Sequence, residues 1–236
     1  MKQLFILFIL IISVHSITAQ SNTDSKYYVG ASFGKSFSLG DFKDTDITNP
    51  DAGFANNGNN LNFFGGYLLN EYFTLTVNLR YQSFDTEIGS LVDDFEANNP
   101  NSNFIGSSGN WNIYYMLFGT AYKINIYKKF SLYPRVGFGP MLVNNPEITV
   151  NSTDSSLSQN FSRSSESGVG FGYEVGIGLK TSLGKHFALM PTFNFSGGVT
   201  RITDVQTITD NVKLNGNYDV SVQSFNLGLS LAYKFN

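Results

Sequence analysis

The chain has 236 residues, 15 basic and 18 acidic groups, no cysteine, 15% aromatic residues and only 14% charged residues. Soluble domains usually carry about 25% charge, so this chain is short of the charge that a fully wetted surface needs. The lack of cysteine excludes a disulfide scaffold, a thiol enzyme and a Cys-ligated metal site, abundant aromatics exclude disorder, and a net charge of −3 points away from nucleic acid.

Residues 1–19 have the layout of an export signal. Lys2 opens it, residues 4–14 are apolar except for Ser13, and Ala19 supplies a small residue before a cut that leaves Gln20 first. The apolar run is too short for the roughly 20 residues of a spanning helix. No cysteine follows it to carry a lipid anchor. The remaining domain is residues 20–236.

From there the pattern has a period of two, the signature of strands. Phe73, Leu75, Val77, Leu79 and Tyr81 share one face, with Thr74, Thr76, Asn78, Arg80 and Gln82 on the other. Val169, Phe171, Tyr173, Val175, Ile177 and Leu179 lie opposite a face of glycines, Glu174 and Lys180. Phe225, Leu227, Leu229, Leu231, Tyr233 and Phe235 repeat the scheme. Weaker versions occupy residues 27–37, 61–69, 111–122, 130–142 and 187–199. Eight strands result, of the length a tilted strand needs to cross a bilayer.

The connections alternate between short (residues 70–71, 125–129 and 184–186) and long (residues 38–60, 84–110, 144–167 and 200–219). One rim is trimmed and the other elaborated. The expected fold is an all-β, eight-stranded, antiparallel, up-and-down transmembrane β-barrel with four long extracellular loops. Aromatics recur just past the short turns. Tyr72, Phe73, Tyr127, Phe130, Phe187, Tyr233 and Phe235 are expected to form a girdle at the periplasmic rim. Pro134 and Pro191 occupy equivalent positions in that repeat, and each is expected to mark a bulge or irregularity in the ladder.

The non-apolar face is Gly, Ser, Thr, Asn and Ala, too poorly charged for an outer surface in water but suited to the crowded lumen of a small barrel. The bulky face then meets outer-membrane lipid. The lumen receives Arg80, Arg135 and Glu174, with Lys180 and Lys234 nearer the periplasmic mouth. Arg80 and Glu174 fall at comparable heights and are expected to pair, because an unpaired buried charge is costly. This polar network is read as a brace for the barrel.

The long loops are acidic. The first carries Asp41, Asp44, Asp46 and Asp51 against Lys43. The second carries Asp85, Glu87, Asp93, Asp94 and Glu96 with no base. Lys123, Lys128, Lys129 and Lys185 gather at the other rim. No calcium-loop spacing accompanies the carboxylates, so they are expected to be solvated loop charges, with no metal and no cofactor. His186, the sole histidine after the signal, falls in a short turn at the rim opposite to where a lipid-modifying site would work. No nucleophile, base and acid assemble around it, and no enzyme is expected.

With its signal, alternating strands and terminal Tyr233-Lys234-Phe235, the chain resembles small outer-membrane β-barrels. These are the OmpX and OmpA-barrel class and the outer-membrane β-barrel domain proteins common in Bacteroidetes, which include PorT-like proteins. The Ala19-Gln20 junction and the repeated Phe-x-Leu strand starts carry the likeness to the last group. The resemblance implies that barrel-assembly machinery reads the C-terminal strand, although Asn236 follows the terminal aromatic by one residue. It implies a surface structural or interaction role with an extracellular or periplasmic partner. The alternatives are an accessory component of protein secretion and a lipid A-modifying enzyme.

Overall fold

A computed structural model describes residues 26–100, 102–127, 130–153 and 160–235. The export-signal reading of residues 1–19 lies outside the described residues, as do Lys128, Lys129 and Asp154. Among the described residues there are twelve strands: β1 (Tyr27–Ser38), β2 (Ala55–Leu68), β3 (Phe73–Thr86), β4 (Phe104–Ser108), β5 (Trp111–Tyr122), β6 (Ile124–Tyr127), β7 (Phe130–Asn144), β8 (Ile148–Ser152), β9 (Asn160–Arg163), β10 (Ser167–Leu183), β11 (Phe187–Thr209) and β12 (Val212–Lys234). A 3-10 turn (Gly40–Phe42) follows β1, and a helix, α1 (Ile88–Asn98), precedes β4.

Eight of these strands close a ring in the order β1-β2-β3-β5-β7-β10-β11-β12, every pairing antiparallel. The first strand meets the last in unbroken register from Tyr28↔Lys234 to Ser38↔Ser224. Closure leaves the ring no open edge, as a sheet without water on its outer face requires.

The strand count therefore exceeds the expected eight. Three of the extra strands lie in segments expected to be loops. β8 and β9 lie in the third segment, β4 lies in the second, and β9 and β8 hang from β11 to make an outer sheet that ends on β4. The fourth extra strand, β6, continues β5 after a break at Lys123 and pairs with β7. The fourth long segment is not a loop. β11 and β12 run on past the ring and turn at Asp210 and Asn211, whose φ angles are 49° and 67°. Two successive positive φ values make a hairpin turn whose twist matches the strands. β2 also begins at Ala55, earlier than expected. Its leading Asn-rich stretch has no apolar alternation, and what seats it is close backbone approach. A Cβ at Gly58 would run into the Ser83 carbonyl oxygen.

The faces sort by polarity in the inverse of a soluble barrel. Val175 and Leu229 are each 54% exposed on the outside, whereas Gln82 and Ser224 inside are fully buried. The expectation of a small, hydrophilic filling holds only for part of the lumen. Its long-loop half is packed by Phe84, Trp111, Ile113, Leu117, Met141, Val143, Ile202 and Val222. Phe42, carried in by the 3-10 turn, caps this core, with its ring 5.2 Å from Phe84 and 5.4 Å from Trp111. On β5 both faces are bulky, so its inner apolar residues do not stand out as a greasy side in the alternation.

The prolines do not make bulges. Pro134 stays opposite Ile177 and Pro191 opposite Leu229, but each loses pairing with its other neighbour without shifting the register. Pro140 behaves alike: it faces Phe171 on β10, while the β5–β7 ladder skips from Tyr115↔Met141 to Phe118↔Phe138. A residue with no N–H cannot serve the ladder on that side, and a ring held by seven other seams tolerates the gap.

Candidate functional site

The lumen is filled in layers, each built from several strands. At mid-height Arg80 of β3 forms an ion pair with Glu174 of β10, both side chains almost wholly buried. Arg135 of β7 places Nε 3.0 Å from the other carboxylate oxygen. Arg135 also donates from Nε and Nη2 to Asn194 Oδ1 at 3.1 and 2.8 Å. Two guanidiniums thus share one carboxylate. Arg80 Nε and Nη1 find no partner among the described residues, so Glu174 is the group that holds Arg80 in place.

Above this triad lies a neutral layer. Gln82 Nε2 donates to Asn226 Oδ1 at 2.5 Å, Ser36 donates to the same oxygen at 2.6 Å, and Asn226 Nδ2 donates to Ser196 Oγ at 2.8 Å. Asn60 Nδ2 donates to Ser36 Oγ at 3.1 Å. Alternation places Ser36, Gln82, Ser196 and Asn226 inward, whereas Asn60 falls in a stretch that reads as a loop, and their partners lie up to 190 positions away, which no local pattern reveals. Gln82 joins β3 to β1 and β12 across the lumen.

Lys180 stands apart from the triad, nearer the short-turn rim. Its Nζ donates to the Tyr133 hydroxyl at 3.4 Å and lies over the rings of Tyr133 and Tyr28 at 5.0 and 5.6 Å. The structure thus brings Arg80, Arg135 and Glu174 together but puts Lys180 in a separate, aromatic layer. At the same rim the aromatics gather in two groups, one on β3 and β5 and one on β11 and β12. Tyr122 packs against Phe73 at 4.9 Å and Tyr72 at 6.0 Å, and Tyr233 against Phe187 at 5.4 Å and Phe235 at 5.2 Å. His186 lies beside this girdle, its ring stacked on Tyr233 at 5.7 Å.

At the opposite rim the acidic residues divide into two groups. In the segment after β1, Asp44 accepts Asn49 Nδ2 at 2.7 Å and the Asp46 amide at 3.1 Å. These bonds hold its carboxyl below its ordinary value, Asn49 contributing most. Asp46 accepts the Thr48 amide and hydroxyl at 2.8 and 2.7 Å. Asp41 uses its backbone carbonyl to receive Gly53 N at 2.8 Å. These carboxylates fold their own loop. Asp93 and Asp94 sit on α1, a different element. Among the described residues no three His, Cys, Asp or Glu side chains are placed to hold a metal ion.

The outer sheet is the other candidate surface. α1 packs on it through Phe95, whose ring lies 5.6 Å from Phe104 and 5.8 Å from Phe161. The spacing Ile88, Leu91, Val92 and Phe95 is helical, a signal that the surrounding Asn, Ser and Asp obscured. Between the sheet and the Phe42 loop lies a cavity of about 260 Å³ lined by Asp51, Trp111, Arg163, Tyr218 and Asp219 among others. Arg163 stacks over Tyr218 at 5.6 Å, and burial raises the Tyr218 hydroxyl above its usual range. Ile105, Val212 and Leu214 on these outer strands are more than half exposed.

The profile of the outer membrane protein beta-barrel domain family matches residues 5–235. No curated protein matches the sequence. Among solved structures, the chain is similar to the attachment invasion locus protein Ail of Yersinia pestis (14% identity, 89% of this chain and 99% of that one, TM-score 0.45). It is similar to a major outer membrane protein from Thermus thermophilus (12% identity, 89% and 99%, TM-score 0.48). It is also similar to OprG from Pseudomonas aeruginosa (11% identity, 92% and 100%, TM-score 0.46).

Proposed function

Since this chain belongs to the outer membrane protein beta-barrel domain family, and its place is the bacterial outer membrane, we propose that it is a non-enzymatic, eight-stranded barrel anchored there. Its long-loop rim is the extracellular interaction surface, and its short turns face the periplasm. Residues 1–19 serve as the export signal, cut before Gln20. The observation that carries this reading is the asymmetry of the rims. β11 and β12 are 23 residues each, about twice the 9–11 residues that cross a bilayer. The surplus does not end in loose chain. It pairs with β9, β8 and β4 into a sheet backed by α1. Ordering that much backbone costs about 1–2 kcal/mol per residue, an investment that suits a surface with a partner.

The filled lumen favours an anchor over a channel. The seat of His186 in a short turn, stacked on Tyr233, favours a non-enzymatic role, because lipid A chemistry belongs to the other leaflet. A secretion accessory of the PorT-like kind would instead work at the periplasmic rim. Removal of residues 203–217 together with residues 88–98 tests the choice. Loss of surface binding to cells or matrix, with protein export intact, supports the reading. Loss of export with unchanged surface binding overturns it in favour of the accessory role. A change in lipid A mass on deleting the whole protein would overturn the non-enzymatic assignment.

A further inference from the structure

The mouth at the short-turn rim holds a feature that neither the triad nor the outer sheet uses. Three separate parts of the ring deliver one lysine each to it: Lys123 at the break between β5 and β6, Lys180 on β10 and Lys234 at the end of β12. All three line one open cavity of about 480 Å³, together with Ser131, Tyr133 and Ser182. Lys234 Nζ donates to Ser182 Oγ at 3.3 Å, and Lys180 Nζ to the Tyr133 hydroxyl at 3.4 Å. Among the described residues the ion pairs belong to Arg80, Arg135 and Arg201, so no carboxylate of those residues answers any of these three ammoniums.

Ammoniums that face one cavity repel each other. Hydroxyls and ring faces hold them in place but cannot cancel their charge. A counter-anion in the cavity would. Each lysine is a compact point charge with three donors, and the serine and tyrosine hydroxyls add neutral donors around the same space. That set suits a multiply charged tetrahedral oxyanion, since a single carboxylate would leave most of the positive charge unanswered. The cavity also leaves room for whatever the oxyanion is esterified to.

We propose that Lys123, Lys180 and Lys234 form a binding site for a phosphoryl group at the short-turn mouth of the barrel. Its source is either a phospholipid headgroup from the adjoining leaflet or a soluble phosphate compound. The site is independent of what the outer sheet binds.

The test uses the full barrel, folded in uncharged detergent micelles and titrated with inorganic pyrophosphate by calorimetry. In parallel, nanodiscs of phosphatidylcholine containing phosphatidylglycerol are analysed by native mass spectrometry for retained lipid. Each variant is first checked for the gel shift between unheated and boiled samples. Saturable uptake is expected. Lys180→Gln should weaken it roughly tenfold, the loss expected for one charge-assisted contact. The Lys180→Gln/Lys234→Gln pair should weaken it further, Lys180→Arg should restore it, and Lys43→Gln at the opposite rim should leave it unchanged. Phosphatidylglycerol retained by the native chain and shed by the double variant identifies a lipid source. Pyrophosphate uptake without retained lipid identifies a soluble one. Absence of both, or binding that the double variant leaves unchanged, overturns the proposal. If the double variant does not fold, Lys180→Arg against Lys234→Gln carries the same comparison.

Discussion

Glu174 is the residue on which the lumen turns. It answers both Arg80 and Arg135, all three side chains being nine-tenths or more buried, and removing one member of a buried ion network costs about 3–5 kcal/mol because the others stay charged. Glu174→Gln is therefore expected to lower the urea midpoint of the micelle-folded protein strongly. The Arg80→Met/Glu174→Gln pair should lose less than the sum of the single changes; additive losses would show that the two do not act together. Trp111 is the apolar counterpart. Its ring is buried against Phe42, and its Nε1 donates to the Gly53 carbonyl at 2.9 Å. Trp111→Ala should cost about 3–5 kcal/mol and release the Phe42 loop, seen as new protease cleavage within residues 39–54. Asp44 is an exposed case with a defined sign. Its folded-state pKa lies below the ordinary 3.8, so its contribution to loop order is complete above that value and lost as the pH falls through the lower one. The Asn49 side-chain amide resonance should move over that acidic interval and stay fixed at neutral pH.

At the scale of elements, the β11–β12 hairpin shows how a turn can extend a strand pair beyond what patterning predicts. Asp210 and Asn211 both hold positive φ, a geometry that Asn and Gly tolerate and β-branched residues do not. Asn211→Gly is expected to slow amide exchange at Thr209 and Val212, and Asn211→Val to accelerate it. Below this turn the pairing slips between Ile202 and Val205, where Asp204 takes φ 62°. That slip shifts the apolar alternation by a position, which is why residues 200–219 read as a loop. The three ladder gaps at Pro134, Pro140 and Pro191 make the opposite point. The prolines are plain in the sequence, but their effect depends on which neighbour each backbone nitrogen faces, and only the assembled ring sets that.

At the scale of the whole molecule, three layers block the lumen in turn: the Lys180 aromatic layer, the charged triad with its Gln82 layer, and the apolar core under Phe42. Planar bilayers holding the purified protein should show no stable open channel, and the Phe42→Ala/Trp111→Ala pair should stay closed too, because the charged triad and the Lys180 layer still block the lumen beneath the truncated core. A steady channel in the native protein would contradict this packing. The alternation of side chains, by itself, determined that this chain makes antiparallel strands, that Val175 and Leu229 lie on their apolar faces, and that short turns fall at residues 70–71 and 184–186, because a period of two is a local property of extended backbone; the turn expected at 125–129 instead begins as strand β6. It also placed Arg80 and Glu174 on the same side of their strands. Only the tertiary structure decided that Arg135 and Asn194 complete that cluster, that Gln82 and Asn226 meet, that the upper lumen is greasy, and that the second, third and fourth long segments together build an outer sheet. Those outcomes depend on which strands become neighbours when the ring closes, and that is fixed by contacts between residues far apart in the chain rather than by any stretch of it read alone.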